Sequence, residues 1–297
     1  MKSNQTRGIA SLLLASFLYG FFGIYARLIG AEFDVFTQNW IRNIFVITLS
    51  ALLIAIFKQK WRKISNKDIP WITAWVSSDI IFVITFFIAF NNLPIGTTLF
   101  LLYSGITITG YILGSFLLNE KLNRLKIIAI IITFIGLLFI CGEQLNTIKA
   151  KFLLLGLLSG IVGGIWFVLP KLISNNYPKF QLIILDAFGI LVVNFLLSQL
   201  NHQSIPPFVM STAWLGIILY GVTQIIADFL IIYGFRLVEA HVGSLILPLE
   251  VVFGTLFAYL FFYETVSTLT LFGGILILIG SVLPNLSKIR IFYVGVI

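Results

Sequence analysis

Ten blocks of predominantly apolar residues, separated by short polar breaks, run along the chain at 8–29, 36–57, 70–91, 95–118, 124–141, 152–173, 179–199, 212–234, 241–262 and 268–286. At a rise of about 1.5 Å per residue, a helical block of about 20 residues crosses the ~30 Å hydrocarbon core of a bilayer. Inside each block the apolar run is continuous rather than alternating, and it is too long for a tilted barrel strand. The pattern predicts an all-α integral membrane protein of ten transmembrane helices.

Composition agrees. Apolar residues make up 59% of the 297 and charged residues 10%, with a mean hydropathy of +1.07; a soluble domain carries about 25% charged residues. The loops are too short to hold a catalytic or nucleic-acid-binding domain. The formal charge of +8 therefore needs a membrane explanation, and the positions of the basic residues supply one. With the N-terminus inside, the inner segments hold Lys2, Arg7, Lys58, Lys60, Arg62, Lys63, Lys67, Lys121, Arg124, Lys126, Lys171, Lys179, Arg236, Lys288 and Arg290, and the outer ones Arg27, Lys149 and Lys151. Such a bias places both termini in the cytoplasm and the chain, multi-pass, in the cell (inner or plasma) membrane. Lys2 and Arg7 ahead of an apolar stretch resemble the start of a signal peptide. The stretch runs on for about 20 residues with no small-residue cleavage site, so it reads as a retained first span. Cys141 is the single cysteine, which leaves no intramolecular disulfide and reads as a small buried apolar residue.

The chain also repeats itself. An offset of 144 residues carries Gly20 onto Gly164, Leu28 onto Leu172, Phe36 onto Phe180, Leu52 onto Leu196, Gly110 onto Gly254, Glu120 onto Glu264 and Gly136 onto Gly280. The same offset registers all five helix pairs, dividing the chain into residues 1–146 and 147–297. Each half holds an odd number of spans, so the second must enter from the opposite side. This is an inverted-topology repeat, an architecture common among secondary transporters.

The repeated segments carry a signature. The fourth and ninth spans end in Phe-Leu-Leu-Asn-Glu-Lys-Leu (116–122) and Leu-Phe-Phe-Tyr-Glu-Thr-Val (260–266), and Gly136 and Gly280 follow the two glutamates at equal distance. This resembles the twice-repeated signature of the drug/metabolite transporter superfamily, EamA type, and the resemblance covers essentially the whole chain. The usual small residue before the signature glutamate is Asn119 in one half and Tyr263 in the other. Where the family often shows Glu-Pro, Glu250 is followed by Val251, and the proline lies earlier, at Pro248. The resemblance implies a central cavity between the halves, alternating access, and a small organic solute such as an amino acid, nucleotide-like metabolite or drug.

Ionisable groups well inside spans are costly and mark a pathway or a structural pair. They are Arg42, Asp79, Asp186, Asp228 and Glu250. Counted from the span ends, Asp79 and Glu250 fall near the midplane, where repeat-built transporters place substrate. Arg42 falls toward the outer third, and Asp186 and Asp228 toward the cytoplasmic side. Trp75, Asp79, Phe82 and Phe86 share one helical face, an acid among aromatics that could hold an amine. Gln224 and Asp228 sit four apart on the eighth span, and Asn39, Arg42 and Asn43 form a polar stripe on the second. Pro248 beside Glu250 interrupts the ninth span and can free carbonyls toward a cavity. Tyr103 and Trp166 lie deep enough to line a cavity, although packing is the favoured reading for both. Arg42 and Asp186 are repeat mates of opposite charge, poised either at opposite gates or for the two ends of a zwitterion; paired with neighbouring helices, they would serve assembly instead. The excess of acids suits a cationic or zwitterionic solute, or proton coupling through a desolvated carboxylate.

Other features read as structural. Trp71 and Trp214 at span ends fit interfacial anchors. Glu120 and Glu264 fit caps on the helices that follow them, and His241 beside Glu239 and Arg236 fits a solvated loop end. Gly156, Gly160 and Gly164, like Gly110 and Gly114, fit close helix packing. A P-loop, a dinucleotide fingerprint and a His/Cys metal spacing are all missing from the sequence, so no cofactor or metal is expected and no nucleotide hydrolysis drives the protein. The expected partners are the lipid bilayer and a small-molecule substrate, not nucleic acid; protons and a second copy of the chain stay open. The competing reading is a membrane-embedded enzyme or lipid-handling protein. It would need clustered acid/base chemistry at one membrane face, whereas these acids are scattered over separate spans at several depths.

Overall fold

The computed structural model describes residues 2–118, 123–142, 150–173, 177–205, 207–209, 211–237 and 246–294. These form α1 (Lys2–Gly20), α2 (Phe22–Gly30), α3 (Val35–Ile56), α4 (Ile69–Asn92), α5 (Ile95–Leu118), α6 (Arg124–Gly142), α7 (Ala150–Val168), α8 (Lys179–Leu200), α9 (Thr212–Leu237), α10 (Leu249–Phe262) and α11 (Thr268–Val294). α1 and α2 are one span, Gln5–Gly30, interrupted at Phe21. With that pair counted once, the ten expected helices are present. Seven spans are long and apolar enough to cross a membrane by length and composition: α1–α2, α3, α4, α5, α7, α8 and α9. α6, α10 and α11 complete the set. α10 has only 14 residues, and positions 241–245 of the ninth span, His241 among them, lie outside the described residues, as do Glu120 and Glu239.

Packing reproduces the repeat. α5 packs on α7 as α10 packs on α1, and α4 packs on α7 as α9 packs on α1–α2. α4 meets α8 as α9 meets α3, and the mates α3–α8, α5–α10 and α6–α11 pack on one another. Glycines show the same relation atom by atom. A Cβ on Gly20 would lie 2.7 Å from Phe253 Cβ, and one on its mate Gly164 would lie 2.7 Å from Thr109 Cβ, Thr109 being the mate of Phe253. Gly136 faces the Gly273 carbonyl across α6–α11, while its mate Gly280 faces Thr133 and Ala129. Gly156 and Gly160 press on Leu101 and Leu102 of α5, as close packing requires. Gly110 departs from the expectation: a Cβ there would meet nothing within 4 Å.

The inversion shows at α3. At its start, the Thr37 N–H donates to Gln203 Oε1 (3.0 Å). Beyond its end, the Arg62 N–H donates to Gln181 Oε1 (2.9 Å) and Gln181 Nε2 donates back to the Arg62 carbonyl (2.6 Å). Thr37 and Gln181 are repeat mates, yet they serve opposite ends of one helix. Between these latches, Asn39 Nδ2 donates to Asn194 Oδ1 (3.1 Å), both side chains fully buried. Leu52, Phe116, Leu154 and Phe261 are exposed on the bundle perimeter, as side chains facing lipid should be.

Two assignments of end residues change. Trp214 is buried, its Nε1 donating to the Pro207 carbonyl (3.0 Å) and its ring edge-on to Phe33; the link 207–209 folds over it, so it is a packed residue and not an interfacial anchor. Glu264 caps α5 rather than the helix that follows it. Its Oε2 accepts the Ile95 N–H (2.7 Å) and its Oε1 pairs with Arg27 Nη2 (2.9 Å). Arg27 Nη2 also donates to the Leu93 carbonyl (2.9 Å). One carboxylate thus joins the ends of α2, α4, α5 and α10.

Candidate functional site

Arg42 on α3, Asp79 on α4 and Asp186 on α8 are each more than nine-tenths buried. α8 packs against both α3 and α4; the Asp79 and Asp186 carboxyl groups face each other, and the Arg42 guanidinium lies within electrostatic reach of Asp79. Asp79 and Asp186, expected at different depths, therefore meet, whereas Arg42 contacts Phe87, two turns further along α4 than Asp79. Counting along each helix separately takes no account of how the helices cross, and crossing sets relative height. The acids are also less scattered than expected, since two of them form a pair.

Aromatic rings enclose this cluster. The Arg42 guanidinium carbon lies 4.3 Å from the Tyr220 ring centroid and 4.5 Å from that of Phe87, within cation–π range of both. Trp75 and Trp166 stack at 6.3 Å, and Phe82 stacks on Trp166 at 6.5 Å. Of the expected Trp75–Asp79–Phe82–Phe86 face, Trp75 and Phe82 turn toward Trp166 of α7 and Asp79 toward Asp186 of α8, while Phe86 packs on Phe82, Phe87 and Phe90 of its own helix. The Trp166 indole is directed at Asp186 but stops short of a hydrogen bond. Four buried polar atoms of this region have no hydrogen-bond partner: Arg42 Nη1, Trp75 Nε1, Trp166 Nε1 and Asp186 Oδ1. Buried polar groups are paired as a rule, and leaving one unpaired costs about 1–3 kcal/mol. These three donors and one acceptor are groups that a ligand passing between α3, α4, α7 and α8 would satisfy.

Glu250 sits apart from this cluster. It accepts a hydrogen bond from the Tyr103 hydroxyl (2.7 Å), which also reaches the Leu247 carbonyl at 3.4 Å. Thr223, the repeat mate of Asp79, pairs with the Tyr25 hydroxyl (3.3 Å). Gln224 is half-buried beside it on α9. Asp228 lies on α9 in backbone, its side chain outside the described residues. Phe87 and Tyr220 were not picked out from sequence. With 29 phenylalanines and 10 tyrosines in the chain, a ring carries little signal until the cation it covers is known. Asn194 could have been found, as a polar residue buried mid-span like Asn39.

A cavity of about 460 Å³ opens elsewhere, between α5, α10 and α11, lined by apolar side chains such as Phe100, Val251 and Leu278 with Thr255 and Glu264 at its polar edge. It touches none of the three clustered charges. Among the described residues, no group of three or more His, Cys, Asp or Glu side chains is placed to hold a metal ion.

Comparison with known proteins bears on the whole chain. The model of the EamA-like transporter family matches twice, over residues 6–142 and 150–286. Uncharacterized transporters of Helicobacter pylori, from strain ATCC 700392 / 26695 and strain J99, are each 22% identical over 302 residues, covering 97% of this chain and all of the relative. A solved crystal structure aligns with a TM-score of 0.68 over 96% of this chain and 98% of its own, at 14% identity, a likeness of fold alone.

Proposed function

Because the chain belongs to the EamA-like transporter family, we propose that it moves a small cationic or zwitterionic organic solute, of the amino-acid kind, by alternating access between its two halves. The observation that carries this reading is the set of unpaired buried atoms on the helices that hold Arg42, Asp79, Asp186 and Trp166. Arg42 Nη1 and the indole N–H groups of Trp75 and Trp166 call for an acceptor such as a carboxylate; Asp186 Oδ1, with Asp79 behind it, calls for a donor such as an ammonium group. Charge-assisted hydrogen bonds of this kind are about twice as strong as neutral ones. The stacked tryptophans offer a flat apolar wall to the rest of the solute. Closure of the site around a bound solute would satisfy atoms that otherwise stay unpaired.

Alternating access is supported by the inverted repeat, which provides two related end states of similar energy, so that gradient and site chemistry decide direction. The positive-inside bias supports cytoplasmic termini and the cell membrane as location.

The test is flux in proteoliposomes with a radiolabelled panel of amino acids and amines. Wild-type protein should exchange at least one member, and Asp79→Asn or Asp186→Asn should lower that exchange tenfold or more without loss of folded protein. If no panel member moves while a lipid substrate is chemically converted, transport gives way to membrane-embedded catalysis.

A further inference from the structure

The pair left over by the solute cluster is Glu250–Tyr103. α5 and α10 are repeat mates packed on each other, so their contact straddles the pseudo-two-fold axis. The Tyr103 hydroxyl marks the spot, because it approaches the carbonyl of its own mate, Leu247, at 3.4 Å, while donating to Glu250 at 2.7 Å. A point on such an axis maps onto itself when the two halves exchange conformations. A group placed there keeps its depth in both end states and can be reached in turn from either face.

The chemistry at this point is that of a carboxyl group with a phenol for its neighbour. A carboxylate within a membrane span is costly unless it is paired, and in transporters such groups serve as proton relays. The elements packed on α10 are α1, α2 and α5. From α5, Tyr103 faces Glu250. On α2, Arg27 is engaged with Glu264 beyond the opposite end of α10, and Tyr25 is bonded to Thr223. On α1, the Tyr19 ring packs on Phe22, and the Ser16 hydroxyl donates to the Ile246 carbonyl. The fold has no need of an acid here, since the mate of Glu250 is Ile106. An acid that the scaffold does without, on the axis, and hydrogen-bonded by a neutral hydroxyl is suited to carrying a proton.

We propose that Glu250, oriented by Tyr103 on the pseudo-two-fold axis, is the proton-binding site of this transporter, separate from the solute cluster at Arg42, Asp79 and Asp186. The Glu250 carboxylate takes a proton from water at one face to become the neutral acid and returns it to water at the other. Tyr103 remains a phenol throughout and acts as a positioning residue. The role as coupling site rests on the transport reading; the binding of the proton does not.

Two measurements on the full chain separate the two ideas. Infrared difference spectra between acid and alkaline pH, in detergent and without solute, should show a carboxylic-acid C=O band that vanishes in Glu250→Gln, shifts in frequency in Tyr103→Phe and persists in Asp79→Asn. In proteoliposomes, Glu250→Gln should retain gradient-free exchange of a radiolabelled amino acid within about twofold of wild type while losing its pH-gradient-driven accumulation. A band unchanged by Glu250→Gln overturns the proton site. Accumulation that survives Glu250→Gln, or that follows a sodium gradient at fixed pH, overturns its coupling role while leaving transport standing. Wild-type liposomes that exchange no amino acid but show the Glu250-dependent band would remove the transport reading and keep the proton site.

Discussion

Arg42 of α3 and Tyr220 of α9 meet as cation and ring face, 4.3 Å from guanidinium carbon to ring centroid, with Phe87 at 4.5 Å also in contact with the same charge. The rings hold the guanidinium in place yet leave Nη1 without an acceptor. A cation–π contact of this kind is worth about 0.5–2 kcal/mol. Tyr220→Leu should raise the KM for the transported solute roughly 2- to 30-fold, about tenfold per 1.4 kcal/mol, and Tyr220→Phe, which keeps the ring face, should raise it less. Concentration-dependent flux in liposomes measures both. Wild-type KM in Tyr220→Leu would show that the rings hold nothing the solute needs.

The clasp at Glu264 gives a stability prediction. Its two oxygens bond Arg27 and the Ile95 N–H, and hydrogen bonds to charged groups contribute about 1.5–3 kcal/mol each. Glu264→Ala should lower the thermal midpoint in detergent distinctly. Glu264→Gln, whose amide oxygen can still accept from Ile95, should fall between Ala and wild type. Adding Arg27→Met to Glu264→Ala should lower the midpoint little further, because partners in one network do not add.

Inverted symmetry predicts matched damage. Gly20→Ala and Gly164→Ala each push a methyl to 2.7 Å from a Cβ on the helix opposite, and overpacking of this kind costs about 1–3 kcal/mol. The two should lower the midpoint by similar amounts despite sitting in different halves. Gly110→Ala, with nothing within 4 Å, should leave the midpoint unchanged or raise it through helix propensity of up to ~1 kcal/mol.

Tyr263 ends α10 in the left-handed region at φ 54°, with its side chain 83% exposed. A side chain pays roughly 1–2 kcal/mol for that backbone geometry, and glycine does not. Tyr263→Gly should raise the midpoint slightly and Tyr263→Ala should not.

The ten spans were legible because a bilayer enforces its own length on every helix, and the two halves were legible because one offset registers glycines and glutamates that are scarce or costly to misplace. The direction in which each polar residue points was not legible. Hydropathy along a span says how deep Arg42, Asp79 and Asp186 lie on their own helices, and crossing of α4 over α8 then puts two of them side by side. The Glu264 clasp was hidden for a related reason: its partners Arg27 and Ile95 are far away in sequence and reach it only once α2 and α5 have packed on α10. Trp214 looked like an anchor because a tryptophan at a span end usually is one, and only the folded 207–209 link shows where its N–H goes.

Tyr103 touches Leu247, the residue at its own position in the other half. Two separate, identical chains assembled about that axis would have to set like against like: two phenols, or two leucines, with a pair of carboxylates crowded one turn away or none at all. A single continuous chain escapes that choice, since one half can contribute the phenol and the other the acid. An odd number of ionisable groups can then stand at the centre of the molecule, so that one acid and one phenol meet where two separate chains would have to set two of each.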